Sequence, residues 1–164
     1  MLTESPRELP SDLAFLPATQ ADLPAILALQ RIAYQDEAEL YNDWCLPPLQ
    51  QSLAELQSEW HYSVMIKAVT VGQIVGSVRA TCVDGVCRIG RLIVDPAYRR
   101  RGIGEQLLAH VEACFSDAAS FALFTGHLSV DNIRRYQRAG YAIARHEPVS
   151  PAVTLVHLEK TAGV

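Results

Sequence analysis

The chain has 164 residues, about the length of one domain with a full core. Its 49% hydrophobic and 20% charged content suits a globular protein. The net charge of −4 argues against a general binder of nucleic acid or anionic membrane, so any bound anion must be held by a local site.

The first ten residues hold Glu4, Glu8, Pro6 and Pro10 and no apolar h-region, which predicts no signal peptide. No stretch approaches the roughly 18 apolar residues of a spanning helix, so a cytoplasmic location is the expectation. Residues 1–12 are expected to form a flexible tail, and 13–164 a single domain.

"DLAFLPAT" predicts a short strand ending at Pro17. A helix follows to about Tyr34, with Thr19 as cap and Leu23, Ile26, Leu27 and Gln30 on one face. "QDEAELYNDWCLPP" is polar, aromatic and acidic, and predicts a loop or a broken helix. Leu49 to about Trp60 predicts a second helix. Three runs rich in Val and Ile then predict an antiparallel meander, "SVMIKAVT", "QIVGSVRATCV" and "VCRIGRLIVD", jointed at Val71-Gly72 and Asp84-Gly85. Gly90 suits a bulge in the third strand.

The second joint would set Cys82 opposite Cys87, close enough for a disulfide; two reduced thiols are expected. The four cysteines (Cys45, Cys82, Cys87, Cys114) make no metal-ligand spacing, and no metal is expected.

After "VDPAYRRRG" a helix is signalled by an apolar stripe. Ile103, Leu107, Leu108, Val111, Cys114 and Phe115 fall at i, i+4, i+5, i+8, i+11 and i+12. Cys114 lies on that stripe and is expected to be packing. "SFALFTG" predicts a buried strand. "SVDNIRRYQRAG" predicts a short helix capped by Ser129 and stopped at Gly140. "YAIARHE" and "AVTLVHLE" are closing strands. The order β-α-α-β-β-β-α-β-α-β-β contains a βαβ crossover, which demands parallel neighbours in an otherwise antiparallel sheet. The expected class is α+β (mixed α/β), with a mixed, mostly antiparallel sheet and helices on both faces.

Arg99, Arg100 and Arg101 stand immediately before Gly102-Ile103-Gly104 at a helix start. A helix N-terminus offers unpaired N–H groups and partial positive charge, and glycine lets a phosphate come close. A P-loop is excluded because no Lys-Ser or Lys-Thr follows, and "GIGEQL" lacks the third glycine of a Rossmann fingerprint. A solvated charge run remains the alternative at this point.

"IVDPAYRRRGIGEQLL" resembles the R/Q-x-x-G-x-G/A signature of the GNAT acyltransferase superfamily through Arg99, Gly102 and Gly104. "SVDNIRRYQRAGY" is similar to the family's downstream segment through Asn132, Tyr136, Gly140 and Tyr141. The order of elements resembles that fold from about residue 13 to 160. The resemblance implies an acetyl-CoA-dependent N-acetyltransferase that passes an acetyl group directly to a primary amine. It implies a CoA pyrophosphate on the backbone of Arg100, Arg101, Gly102, Ile103, Gly104 and Glu105, with Arg99 in the signature position. It implies a pantetheine arm along Leu92, Ile93 and Val94 and near Asn132, and Tyr136 as the acid that protonates the departing thiolate.

The base stays open. Many family members carry a Glu where this chain has Arg91; Glu37, Glu39, Asp43 and His127 are the other candidates. Tyr34, Glu37, Tyr41 and Trp44 fall where the family often builds its acceptor pocket, and suit a cationic amine. Arg79 and Arg91 would suit an acceptor bearing a carboxylate or phosphate, if they face the cleft. The acceptor is expected to be a small-molecule or peptide amine, with no nucleic-acid or membrane partner, and a homodimer is possible within the family. A non-catalytic acyl-CoA-binding domain and a nucleotide-binding domain are the rival expectations.

Overall fold

The computed structural model describes residues 8–163; the rest of the expected tail, residues 1–7, lies outside the described residues. Asp12, also expected in the tail, is tied down. It accepts hydrogen bonds from the Thr70 hydroxyl and, at 2.7 Å, from the Val71 N–H.

The elements are β1 (Ala14–Pro17), α1 (Leu23–Ala33), α2 (Gln35–Tyr41), α3 (Pro47–Gln50), α4 (Leu53–Tyr62), β2 (Val64–Thr70), β3 (Gln73–Val83), β4 (Val86–Val94), α5 (Ile103–Ala113), β5 (Ser120–Gly126), α6 (Val130–Arg138), β6 (Ala142–Pro148) and β7 (Thr154–Thr161). They build a seven-stranded sheet in the order β1-β2-β3-β4-β5-β7-β6. Only β4 and β5 are parallel, and α5 is the crossover between them.

Two expectations about helices change. "QDEAELY" is a helix: Asp36 and Glu37 favour its N-terminal turn, and Ala38 and Tyr41, three apart, are buried beneath it. The single helix expected from Leu49 is two. Gln51 adopts an extended conformation, and Ser52 restarts the chain with a capping box. The Ser52 hydroxyl accepts from Glu55 N–H, and the Glu55 carboxylate accepts from Ser52 N–H, both at 3.1 Å.

Both hairpin turns have positive φ at both central residues: 51° and 68° at Val71-Gly72, 52° and 80° at Asp84-Gly85. That is the primed turn whose twist matches paired strands. The second turn sets Cys82 opposite Cys87, and both thiols are free.

Strand alternation divides the core between the two faces of the sheet. On one face Ile66, Val78, Ala80, Ile89, Phe121 and Leu123 pack under Ile103, Leu107, Leu108 and Val111 of α5 and Tyr136 of α6. On the other, Met65 packs with Leu23, Ile26 and Leu27 of α1 and Leu56 of α4. Each such side chain, fully buried, contributes roughly 1.5–3 kcal/mol. Gly76 lets α5 sit close to β3, because a Cβ there would lie 2.9 Å from Leu107 Cδ1. Among the described residues no helix is long and apolar enough to cross a membrane.

Two features of β4 place the site. Its pairing with β5 covers only Val86↔Ser120, Cys87↔Phe121 and Arg88↔Ala122, after which the two strands part. Its pairing with β3 continues to Gly76↔Val94 but shifts register between Arg79↔Gly90 and Ser77↔Ile93. The bulge expected at Gly90 falls one residue later. Arg91 takes the left-handed conformation, φ 48°, which is strained for a residue with a side chain.

Candidate functional site

Beyond Arg88, β4 is an edge inside the sheet. Leu92, Ile93 and Val94 lie on it, and β5 no longer covers their outer backbone groups. The strand then runs into a short 3-10 turn, Pro96–Tyr98, where the Asp95 carboxylate accepts from Ala97 N–H at 2.9 Å. Arg100 (φ 63°) and Gly102 (φ 85°) are both left-handed, and Gly102 caps α5 with no side chain to satisfy its first turn. Among the described residues, no backbone carbonyl accepts from the N–H groups of Gly102, Ile103, Gly104 or Glu105; the first helical bond is Gln106 N–H to Gly102 C=O, 3.1 Å. Space beside Gly102 is open, since a Cβ built there meets nothing within 4 Å. The result is a backbone concavity of free donors at the positive end of a helix dipole, suited to an anion.

The three arginines are unequal. Arg99 ties the loop to the helical layer, pairing with Asp36 and donating to the Ala33 carbonyl at 3.1 Å. Arg101 folds back over the Tyr98 ring, 5.0 Å from its centroid, and its Nε is buried without a partner. Arg100 is exposed. Sequence reasoning missed a fourth, Arg135. A Cβ on Gly104 would lie 3.4 Å from Arg135 Nη1, and Arg135 Nε is 3.3 Å from a Glu105 carboxylate oxygen. The signal was available: Asn132, Arg135 and Tyr136 fall at i, i+3 and i+4, one face of a helix.

Helix α6 is pinned from beneath by α2. A hydrogen-bond chain runs from Leu128 N–H to the Tyr41 hydroxyl (2.9 Å), from Tyr41 to Ser129 Oγ (2.8 Å), and from Ser129 to both Glu37 carboxylate oxygens (3.1 and 3.0 Å). Asn132 Nδ2 donates to Glu37 (3.2 Å) and to Thr125 Oγ1 (3.3 Å). Gly126 leaves the room for this chain, because a Cβ there would overlap the Tyr41 hydroxyl. Burial pushes the Glu37 carboxyl above its usual range, and the hydrogen bonds from Ser129 and Asn132 oppose the rise. Burial also raises the phenols of Tyr34 and Tyr136, with the Arg91 guanidinium opposing the rise at Tyr34. Tyr136 is 8% exposed, and its burial favours the protonated phenol.

The residues expected near an acceptor divide. Tyr41 is buried in the chain just described. Arg79 is 4% exposed and lies in a second network, donating to Glu59 (3.2 Å), to Gln51 (3.4 Å) and to the Gln30 side-chain oxygen. Gln30 in turn donates to the Pro48 carbonyl (2.8 Å), and Gln51 to Glu59 (2.8 Å). Burial lowers the Arg79 pKa to about 10, with Glu59 opposing. Glu39 is exposed, and Asp43 accepts from Cys45 N–H at 2.9 Å. His127 Nδ1 lies 3.0 Å from the Thr154 N–H, which donates to it. Tyr34 and Arg91 are half-buried. Arg91 lines an open cleft of about 190 Å³ with Arg79, Arg88, Glu59 and Phe124. Arg88 and Phe124 were not singled out from the sequence, because only the strand register brings them to one wall.

The chain thus brings together a parallel pair that splays, a glycine-bounded helix start beside it and a buried tyrosine on the following helix. The Acetyltransferase (GNAT) domain family matches residues 59–143, just over half of the chain, and the chain belongs to that family. Solved structures share its fold at low identity. The PaiA N-acetyltransferase from Thermoplasma acidophilum, in complex with coenzyme A, is 15% identical with a TM-score of 0.75, over 91% of this chain and 98% of that one. A ribosomal-protein-alanine N-acetyltransferase from Brucella melitensis is 18% identical with a TM-score of 0.73, over 90% and 99%. A phosphinothricin acetyltransferase from Sinorhizobium meliloti, in complex with AcCoA, is 15% identical with a TM-score of 0.74, over 92% and 88%. No curated protein sequence matches the chain.

Proposed function

We propose that the protein is an acetyl-CoA-dependent N-acetyltransferase that passes an acetyl group directly to a primary amine. The observation that carries this is the row of free N–H groups from Gly102 to Glu105 at the mouth of the β4–β5 split. The site fits such a ligand: the concavity is open at Gly102, its rim carries Arg100, Arg101 and Arg135, and β4 offers a free edge. The loop N–H groups would hold the pyrophosphate, and the backbone of Leu92, Ile93 and Val94 the pantetheine arm. Bound acetyl-CoA supplies the thioester carbonyl.

Around that carbonyl the chain's own residues orient and move protons. The amine nitrogen forms the new C–N bond as the C–S bond breaks. One amine proton leaves to solvent, and the Tyr136 hydroxyl gives its proton to the departing sulfur and is refilled from solvent. The side-chain NH₂ of Asn132 is committed to Glu37 and Thr125, so Asn132 serves chiefly to fix α6 and with it Tyr136. Arg99, tied to Asp36 and Ala33, holds the loop rather than the ligand.

The test is calorimetry with CoA, followed by mass spectrometry of amines incubated with acetyl-CoA and the protein. Micromolar CoA binding that ATP does not displace, together with an acetylated amine, is the expected result. Equal displacement by ATP would point to a nucleotide site, and CoA binding without any transfer to a non-catalytic domain.

A further inference from the structure

The cleft beside the split has a charge that its size makes informative. Among the described residues that line it, Glu59 is the one carboxylate, and that group is already engaged by Arg79 and Gln51. Arg88 and Arg91 also line it, and neither has a carboxylate partner among the described residues; the Nε of Arg91 is buried with no hydrogen bond at all. A buried guanidinium N–H left open is costly unless something supplies an acceptor. Arg91 stands one residue before the free edge at Leu92 and is held there by the left-handed bulge, so its backbone position is fixed by the β3–β4 register.

We propose that the acceptor is an amine of amino-acid size that carries a carboxylate, bound by Arg91 with Arg88 beside it; this rests on the N-acetyltransferase function proposed above. Two physical points favour this class. Guanidinium groups accept carboxylates bidentately and with directional preference. Two positive charges without a carboxylate partner also repel a bare alkylammonium, and an anion on the same molecule offsets that repulsion. A diamine or polyamine meets the repulsion without the offset. The volume of about 190 Å³ lies below the roughly 300–1,000 Å³ of drug-sized sites and suits a small molecule. The exposed Phe124 ring offers an apolar wall at its edge.

The experiment uses the full chain, acetyl-CoA and the proteinogenic amino acids, each beside its own carboxamide, with acetylated products measured by mass spectrometry and CoA binding by calorimetry. For the best acceptor, the free acid is expected to exceed its amide in kcat/KM by roughly 10- to 100-fold, the weight of a charge-assisted hydrogen bond. Arg91→Asn, chosen because Asn tolerates positive φ, is expected to bring the acid-to-amide ratio close to one, and Arg88→Gln, an exposed substitution, to lower it by a smaller factor. Equal rates on acid and amide, a preference for amides, or an acid-to-amide ratio unmoved by both variants would overturn the proposal while leaving the acetyltransferase function standing. CoA binding with no transfer to any acid or amide would overturn it as well. Absence of CoA binding would remove both.

Discussion

The loop from Asp95 to Glu105 and the network around Arg79 are built on opposite plans. In the loop the working groups are backbone: two left-handed residues, a glycine cap and a row of N–H groups without partners. Around Arg79 they are side chains from α1, the Gln51 joint, α4 and β3, with their hydrogen bonds closed upon one another. The loop is left open and suited to receive something. The network is filled, and it fixes the helical layer on the sheet. Charge alone does not separate them, since each contains arginine; what separates them is whether the donors already have acceptors.

Substitutions that close the loop or open the network test this contrast. The largest effect is expected from Gly104→Asp, where the new Cβ meets Arg135 and a carboxylate enters the concavity proposed to hold the pyrophosphate. Calorimetry should show CoA affinity reduced by at least about 100-fold in a protein that still melts cooperatively, the scale of losing several charge-assisted bonds. Arg79→Ala should leave CoA affinity within a few-fold yet lower stability by about 3 kcal/mol in urea unfolding, because Glu59 and Gln30 lose their partner in a buried setting. If Arg79→Ala abolished CoA binding with little loss of stability, the two regions would not be separate.

Tyr136→Phe should lower kcat by about 100-fold, with CoA affinity unchanged within about threefold, as expected for loss of a general acid. An unchanged kcat with chemistry rate-limiting would reassign Tyr136 to packing.

The smallest effect concerns Glu37, which joins α2 to α6. Its folded pKa is raised, chiefly by burial, above the ordinary 4.5. The folded state therefore binds the proton more tightly than the unfolded chain. The contribution of Glu37 to stability is greatest below 4.5 and declines as pH rises through the folded pKa. Glu37→Gln should flatten that part of the stability-pH profile in denaturant titrations and cost little at neutral pH, since Gln still offers an acceptor to Ser129 and Asn132. A profile identical to that of the unmodified chain would mean that Glu37 is not buried as described.

Legibility in the sequence followed the range of the interaction. Hairpin turns at Val71-Gly72 and Asp84-Gly85 were readable because adjacent residues spell a backbone conformation. The glycine-bounded loop and the α5 stripe as far as Val111 were readable for the same reason, whereas Cys114, expected to pack, is exposed past the end of α5. The helix from Gln35 to Tyr41 was obscured because a polar stretch needs only two buried residues to hold it against neighbours. The break at Gln51 was obscured because the side chain that interrupts the helix is recruited to Arg79, 28 positions away. The bulge was misplaced by one residue, to Gly90, because glycine is the residue that tolerates it most cheaply, whereas β3 register demanded it at Arg91.

By itself the sequence determined the family, the succession of strands and the glycine-bounded start of α5, since each rests on residues close together whose backbone needs are written locally. Only the tertiary structure decided which arginines are free. Arg79, Arg88, Arg91, Arg99, Arg101 and Arg135 are chemically identical in the sequence. They differ because partners up to 66 residues away, such as the Ala33 carbonyl for Arg99, either reach their donors or leave them open.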